Sequence, residues 1–581
     1  MGSPLVCEPM RTRIITLAWG VLTFVTIGIP LVSEAQTNIW IQTGSGSWQN
    51  PANWSLSQAP TNTQSLVITN DLSKIITIDS STSSSSSNTL TVADVIMSAP
   101  ADALNILDLS NAGTSTPLIV LNNFIITSGG LLRLTGSGLW MQTNANAAVT
   151  NVATAVLSNG VLDVDDTLEL NNNSFVTADT GLYAGLETNA YGLVSIAGGQ
   201  LFLTNTPPSA VGVNGQGEMD VSSGQLQTAA NFLFVGSGIG SQGTLSVQGG
   251  NFVASPNARL VIGMETGAVG VVSVTGGNLI MTNSLITLVG CDGSGELDLL
   301  GGTNIFGAME VGGDSGAQGT LSVAGGVNTL QSGLCVGSSQ GATGAVWLTG
   351  GQLIATNLST SIASWGYGVA TVSNSSWIGS TMLVGVHGFA NITNYVGFII
   401  TTGQTSYGAV NLDGGSMTLY SKLVIGNCGT GGVGVVDVAG GSLSVTNAAH
   451  NAVIDVRNGQ LNIAGGTVQV DKLVLTNSCG SFLHTGGSLV AGSVVFDTNT
   501  FRIVSATRQG NDMLITWQMA PGITNALQAA AGNSDGSYGT NGFTDIFVVT
   551  NNSVIGSLTN YLDVGGATNL PARYYRARLA F

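Results

Sequence analysis

The stretch VGVVSVTGGNLIMTNSLITLVG, residues 269–290, contains the pattern that decides the fold. Apolar and small residues alternate up to a glycine doublet, so that Val272 and Val274 fall on one side of the chain and Ser273 on the other. This alternation predicts a β-strand with one buried face. A second apolar run follows the doublet, and a third ends at Gly290. The stretch therefore predicts three short strands with glycines at the corners between them.

The pattern recurs along the chain at a nearly fixed interval. Glycine doublets between residues 249 and 350 follow one another at steps of 27, 25, 24 and 25 residues. Three short strands and three glycine corners in about 25 residues are typical of one coil of a parallel β-solenoid, which buries its apolar face only against neighbouring coils. A propeller blade would need about 40 residues. In seven copies a residue that we predict to face outward stands between the two apolar residues before the doublet: Ser246, Ser273, Asp298, Ser322, Trp347, Asp437 and Asn462.

The composition agrees with an all-β repeat protein and excludes several other classes. Of 581 residues, 13 are basic and 30 acidic, which makes 7% charged against a usual quarter. An apolar content of 43% excludes a disordered chain, and 12 prolines without a three-residue glycine period exclude collagen. The net charge is −17, and Arg259 is the single basic residue between Arg133 and Lys422. Nucleic acid is therefore a poor partner, because its phosphates would not be neutralised.

Residues 1–35 have the features of a secretory signal peptide. Two arginines precede the uncharged run 14–32, and small residues near Ala35 favour cleavage after it. The alternative is a retained membrane anchor, since the run could just span a bilayer. Translation from either Met1 or Met10 would include the whole signal. We expect an exported protein with no stable transmembrane segment in the mature chain.

The pattern changes at both ends of the repeats. Three tryptophans lie within fifteen residues near the start, where they can cover an exposed end of the solenoid. The next residues predict looser strands, which include the serine run Ser80–Ser87. Beyond about residue 500 the strands alternate without doublets, which indicates a β-sandwich. The predicted organisation is a signal peptide (1–35), a tryptophan-rich cap (36–66), irregular first coils (67–154), regular coils (155–499) and a C-terminal β-sandwich (500–581).

The repeat resembles a known group of bacterial surface proteins. The motif G-x-[LV]-x-V-x-GG-x-L, preceded by W-x7-W-x5-W, is similar to the autotransporter-associated β-strand repeats, and the resemblance covers roughly residues 155–495. It implies a right-handed parallel β-helix located outside a bacterial cell or on its outer surface. The segment after residue 500 resembles fibronectin-type or immunoglobulin-like modules. A departure is that only about 80 residues follow the repeats, fewer than the membrane barrel of an autotransporter.

Four cysteines remain after the signal peptide: Cys291, Cys335, Cys428 and Cys479. Their spacings of 44, 93 and 51 residues match neither a dense disulfide framework nor CxxC metal pairs. We predict that all four are buried free thiols that pack as small hydrophobes.

Acidic and basic residues are too scattered to predict a catalytic centre. A lyase needs a base and cationic groups, and the coils from residue 134 to 421 offer only Arg259 and His387, on different coils. A glycoside hydrolase needs facing carboxylates. The best group is Asp163, Asp165, Asp166 and Glu169. In this group Asp163 and Asp165 point the same way and could bind a cation or do acid–base chemistry, although the exposed edge of an acidic coil is the favoured interpretation.

Other residues were considered as binding groups. Trp347, Trp365 and Trp377 are candidates for stacking on sugars, against the more common role of scattered surface aromatics. Asp314 follows two glycines, but no second calcium nonapeptide comes after it. Histidines at three different coil positions do not predict a metal set: His387, His450 and His484. Four asparagines in Thr-Asn pairs are predicted turn residues: Asn205, Asn283, Asn357 and Asn447.

The sequence thus predicts an all-β protein, a right-handed parallel β-helix followed by a small β-sandwich. We assign no catalytic, cofactor-binding or metal-binding residue and expect no cofactor. The expected role is non-catalytic and adhesive or structural, at a bacterial surface or outside the cell. The candidate partners are extracellular glycan, matrix, other cells and further copies of the chain. The alternative is a secreted polysaccharide-active enzyme of the glycoside hydrolase type.

Overall fold

The computed structural model describes most of the chain after residue 35. The described residues are 36–100, 103–121, 124–126, 130–141, 156–157, 162–164, 167–171, 175–178, 182–186, 188–189, 191–203, 208–229, 232–386, 406–429, 431–496, 501–520, 524–551, 557–568 and 572–580. They form a parallel β-solenoid of about 15 turns with coils of about 25 residues, followed by antiparallel strands. They divide into two compact units, 36–347 with 351–354, and 348–350 with 355–580.

The strands of the first coils are β1 (Gln36–Ile39), β2 (Gly46–Ser47), β3 (Gln64–Ile68), β4 (Lys74–Asp79), β5 (Thr91–Val92), β6 (Asp94–Met97), β7 (Asn105–Val120), β8 (Phe124–Ile126), β9 (Gly130–Met141), β10 (Val156–Leu157), β11 (Leu162–Val164), β12 (Thr167–Asn171), β13 (Phe175–Ala178) and β14 (Leu182–Ala184). One α-helix, α1 (Ser80–Ser85), and two 3-10 turns, Pro51–Asn53 and Ser87–Thr89, lie among them.

The coils that follow contain β15 (Tyr191–Leu203), β16 (Ser209–Val211), β17 (Gln216–Thr228), β18 (Phe232–Val235), β19 (Gln242–Val247), β20 (Asn251–Ala254), β21 (Arg259–Ile262), β22 (Val269–Val274), β23 (Asn278–Val289), β24 (Ser294–Leu299), β25 (Thr303–Val311), β26 (Gln318–Val323), β27 (Val327–Leu330), β28 (Leu334–Val336) and β29 (Thr343–Leu348).

The remaining solenoid strands are β30 (Gln352–Ile362), β31 (Tyr367–Val372), β32 (Ser376–Val384), β33 (Tyr407–Leu412), β34 (Ser416–Ile425), β35 (Val433–Val438), β36 (Ser442–Val445), β37 (Val453–Val456), β38 (Asn458–Ile463), β39 (Thr467–Leu475), β40 (Cys479–His484) and β41 (Ser488–Phe496). The C-terminal strands are β42 (Arg502–Gln509), β43 (Asp512–Gln518), β44 (Thr524–Ala531), β45 (Thr544–Thr550), β46 (Leu558–Asp563) and β47 (Arg573–Ala580).

The register of β22 confirms the predicted inward and outward positions. β22 pairs in parallel with β19 and β24, so Val272 aligns with Leu245 and Leu297, and Ser273 with Ser246 and Asp298. Val272 and Val274 are fully buried, whereas Ser273 is half-buried on the outer side. Equivalent residues thus form columns one coil apart, and the apolar columns make the core.

Glycine occupies the corners because the chain there turns left-handed against a neighbouring coil. Gly277 in the doublet has φ +65°, and Gly263 at the end of a third strand has φ +68°. A Cβ atom at Gly263 would overlap the carbonyl oxygen of Ser294, and one at Gly277 would overlap that of Gly250. Both the positive φ and the close backbone approach therefore require glycine.

The three N-terminal tryptophans are completely buried. Trp54 packs edge-to-face against Trp40 and Trp48, with ring centroids 5.2 and 5.4 Å apart. The indole N–H of Trp54 donates to the carbonyl of Trp48 (2.8 Å), and that of Trp48 donates to the carbonyl of Thr89 (2.9 Å). Large apolar rings with satisfied N–H groups are suited to closing the end of a core.

The serine run departs from the predicted strand. Ser80–Ser85 forms the short helix α1, because Asp79 caps its N-terminus. The carboxylate of Asp79 accepts from the backbone N–H groups of Ser81 and Thr82, and the Thr82 hydroxyl accepts from the Asp79 N–H. This capping box supplies partners for amides that a strand would have paired differently.

The C-terminal strands form two antiparallel three-stranded sheets, β42–β43–β46 and β45–β44–β47. Their shared core contains Ile515, Trp517, Met519 and Leu527. The last strand, β47, pairs with β44 along its length. Among the described residues, no helix is long and apolar enough to cross a bilayer.

The prediction of four unpaired cysteines is wrong for three of them, because Cys335, Cys428 and Cys479 each take part in a disulfide. Cys428 and Cys479 form a disulfide with a Cα–Cα distance of 5.9 Å, whereas Cys291 is a buried free thiol. The separation of 51 residues is about two repeat periods, so both cysteines come to the same edge of the solenoid. Asn458 connects the turn that contains Cys428 to that edge. Its side-chain amide donates to the Gly432 carbonyl at the end of the turn (2.9 Å). Asn458 itself aligns with Cys479 in the parallel register.

The asparagine prediction holds only in part. Asn447 is a turn residue whose side-chain oxygen accepts from the N–H groups of Ala449 and Asn451. Asn283 and Asn357 instead lie inside β23 and β30, because the second and third strands of those coils are continuous. Asn205 falls outside the described residues.

Candidate binding faces of the solenoid

Two tyrosines stack on the outer face of the solenoid in the unit 355–580. Tyr367 and Tyr407 begin β31 and β33 and align in the parallel register. Their rings are 5.5 Å apart and nearly parallel, at 9°. Tyr367 is 46% exposed and Tyr407 is 38% exposed. The next residue of each strand is turned inward by the strand alternation. The coil repeat therefore holds two rings at a fixed spacing on the surface.

Polar side chains share that face with the tyrosines. Thr371 and Asn411 align one coil apart, and the Asn411 amide donates to the Thr371 hydroxyl (3.4 Å). Asp437 follows in the same column on β35. We call Tyr367, Tyr407, Thr371, Asn411 and Asp437 the tyrosine face. Aromatic rings beside amide, hydroxyl and carboxylate groups are able to stack on a sugar ring and bond its hydroxyls.

The structure separates the three candidate tryptophans. Trp347 is 43% exposed on the outer side of β29, as a binding role would require. Trp365 is half-buried in the bend between β30 and β31. The hypothesis is wrong for Trp377, which is fully buried and aligns with Met417, because alternation in β32 turns it inward.

Of the candidate acidic group, the structure describes only the backbone of Asp163 and Glu169. Asp165 and Asp166 lie outside the described residues, and so do the side chains of Asp163 and Glu169. The backbone of Asp163 is in β11, where it aligns with Tyr183 of β14.

Two pairs of carboxylates lie on the outer face of the first strands of their coils. The sequence patterns did not indicate them as pairs. They are Glu218 with Asp220 on β17 and Glu296 with Asp298 on β24. Burial and the neighbouring Glu218 raise the pKa of Asp220, and burial and Asp298 raise that of Glu296. Alternate residues of a strand are about 7 Å apart, a spacing that inverting glycosidases also use. The repeated letters GEMD and GELD are the signal that could have revealed them.

The outer face of the third strands is apolar in the unit 36–347. Phe234, Val261 and Leu288 form one outward column of neighbouring coils, and Glu310 follows Leu288 in it. The three apolar side chains belong to a buried cluster separate from the main core. Glu310 is only 8% exposed, and its carboxylate accepts from the Ser338 hydroxyl. Burial raises the pKa of Glu310 to about 7, and the Ser338 bond lowers it in part.

A thiol and two carboxylates come together beside Glu310. One ligand atom each of Cys291, Asp292 and Asp314 lies within 4.8 Å of the others. Burial raises the pKa of the Cys291 thiol, and the charges of Asp314, Asp292 and Glu310 add to this. Sequence patterns did not reveal the cluster, because its two parts are about one repeat apart and meet only by coil stacking. We call Cys291, Asp292 and Asp314 the thiol–carboxylate cluster.

The candidate basic and imidazole residues that the structure describes have contacts elsewhere. Arg259 lies over the Phe232 ring (5.5 Å), and burial lowers the pKa of its guanidinium. His450 is in an exposed turn, and His484 lies in β40 beside Phe482. His387 falls outside the described residues.

The fold and its surface columns define a parallel β-solenoid protein. Comparison of the chain with protein-family models, with curated proteins and with solved structures finds no match.

Proposed function

We propose that this protein is an exported, non-catalytic adhesive or structural protein of a bacterial surface, and that it binds glycan through the tyrosine face. The stacked, exposed pair Tyr367–Tyr407 is the observation that carries the proposal. The signal-like residues 1–35 and the resemblance to autotransporter-associated repeats support the location. The same resemblance supports a fibronectin-like or immunoglobulin-like module at the C-terminus.

The charge distribution favours an uncharged glycan. No lysine or arginine occurs between Arg259 and Lys422, and the chain carries a net charge of −17. Uronate or sulfate groups would therefore be repelled. A neutral sugar needs a flat apolar surface and hydrogen-bonding groups at its edge. Tyr367 and Tyr407 provide the rings, and Asn411 and Asp437 provide the polar groups.

A glycan array with the mature protein tests the proposal. We expect binding of neutral glycans that weakens about tenfold when either ring is lost, since an aromatic contact contributes about 1 kcal/mol beyond its buried area. The variants are Tyr367→Ala, Tyr407→Ala and their combination. Tyr191→Ala is the matched control, because Tyr191 is also an exposed residue at the start of a first strand but bonds Glu218 instead. Full binding by the double variant would contradict the role of this face.

The alternative is a polysaccharide-active enzyme that uses acidic residues. The outward pairs Glu218–Asp220 and Glu296–Asp298 favour it, because the raised pKa values of Asp220 and Glu296 are in the direction that a general acid requires. A hydrolysis panel on neutral polysaccharides separates the two functions. Turnover that is lost in Asp165→Asn or Glu296→Gln would replace the adhesive role with a catalytic one.

A further inference from the structure

We propose that the thiol–carboxylate cluster is a zinc site in which Cys291 Sγ and the carboxylates of Asp292 and Asp314 bind one Zn²⁺. The site is independent of the tyrosine face and of the glycan proposal. Its ligands come from two consecutive coils, so the metal would connect them.

The backbone fixes the position of all three ligands. Cys291 and Asp292 follow the left-handed corner Gly290, and Asp314 follows the corresponding corner one coil later. The N–H of Asp314 donates to the carbonyl of Cys291 (2.7 Å), and the N–H of Cys291 donates to the carbonyl of Gly263 (2.9 Å). The ladder therefore brings the side chains within 4.8 Å of one another without a flexible loop.

Two features distinguish this group from an ordinary acidic surface cluster. The Cys291 thiol is free and only 6% exposed, and its sulfur lies within 4.8 Å of an oxygen of each of the two carboxylates. The two carboxylates are half-buried on neighbouring coils, where like charges side by side are unfavourable. The buried carboxyl group of Glu310 lies on the strand that leads to Asp314. A divalent cation bound by the two aspartates would offset the repulsion between their carboxylates.

The donor set selects the metal. One thiolate and two carboxylates suit Zn²⁺, which binds sulfur at about 2.3 Å and carboxylate oxygen at about 2.0–2.2 Å, with water completing a tetrahedron. Ca²⁺ and Mg²⁺ require oxygen ligands and would not use Cys291.

Metal titration of the mature chain tests the site. We expect one Zn²⁺ per chain in a competition titration with a chromophoric chelator. Co²⁺ in its place should give the near-ultraviolet charge-transfer band of a thiolate ligand. Cys291→Ala should abolish that band while keeping the fold, because a buried free cysteine packs as a small hydrophobe. Asp314→Asn should raise the Kd for Zn²⁺ at least about tenfold.

The control is Asp298→Asn, which removes an outward carboxylate of β24 outside the cluster and should leave the Kd unchanged. Circular dichroism verifies that each variant is folded, and the wild-type titration does not depend on any variant. A wild-type chain that binds no Zn²⁺ overturns the proposal. So does a thiolate band that persists in Cys291→Ala, or a loss of affinity in Asp298→Asn as large as in Asp314→Asn.

Discussion

Single residues in this fold have one of two environments, and their position in the strand decides which. Val274 is fully buried between Val247 and Leu299 of the adjacent coils, whereas Ser273 faces outward between Ser246 and Asp298. The same substitution at neighbouring positions should therefore have very different effects on stability.

We expect Val274→Asp to destabilise the coil by several kcal/mol, because it buries a carboxylate without a partner. Ser273→Asp should change stability by no more than about 0.5 kcal/mol, as surface substitutions usually do. Denaturant unfolding measures both, and limited proteolysis of Val274→Asp should cut first near residue 274, since coils depend on their neighbours. Equal effects of the two substitutions would contradict the inward and outward assignment.

Buried polar residues follow the same columns. Asn304 and Asn328 lie in an inward column of aligned residues. The same column contains Leu279 in the coil before them and Leu353 in the coil after them. Both are fully buried, and the Asn304 amide donates to the Asn328 side-chain oxygen (2.8 Å). Each amide also donates to the carbonyl of the preceding doublet glycine, at 3.0 Å. The pair satisfies its own polar groups, which is the condition for amides inside an apolar core.

At the scale of elements, one carboxylate holds the turn between β36 and β37. Asp471 on β39 accepts from the N–H groups of Asn447 and Ala452, at 3.0 and 3.1 Å. Its other oxygen is 3.6 Å from Nδ1 of His450, which has φ +51°. Burial alone would raise the pKa of Asp471, but these hydrogen bonds outweigh it and lower the pKa.

We expect Asp471→Asn to lower the melting temperature at pH 7 and to have a smaller effect at pH 3. A depressed folded-state pKa means that the stabilisation is complete above the unfolded value of about 3.9 and is lost as the pH falls through the folded value. Melting of wild type and variant at the two pH values measures this, with Asp437→Asn as a control outside the turn. A difference that stays the same at pH 3 would show that the charge is not involved.

Elements that depend on local alternation were predictable, and those that depend on coil stacking were not. The strand β22 and its corner at Gly277 follow from apolar spacing and glycine. The helix α1 does not follow from such a pattern. Its signal in the sequence is the cap formed by Asp79, which competes with strand pairing over only a few residues. The thiol–carboxylate cluster and the Cys428–Cys479 disulfide join residues one or two repeats apart, so they require the register between coils. The tyrosine face was missed because Tyr367 and Tyr407 are 40 residues apart in the sequence but only one coil apart in the structure.

For the molecule as a whole, stability is a sum of coil stabilities and of contacts between neighbours. A cross-link between two coils therefore acts on its own part of the array and leaves distant coils unchanged. Cys428 and Cys479 form such a cross-link in the unit 355–580. The enclosed 51 residues contain β35 to β39 and the turn held by Asp471.

We expect reduction of this disulfide to destabilise the coils around residues 428–479 by roughly 2–4 kcal/mol, because the unfolded segment regains the freedom that the loop had removed. Hydrogen exchange with and without a reductant should show faster exchange in β35 to β40 and no change in β19 to β26. Cys428→Ala should reproduce the effect and make it insensitive to reductant, whereas Cys291→Ala should remain sensitive. Uniformly faster exchange along both units after reduction would mean that the array unfolds as one cooperative body, and the additive description of its coils would be wrong.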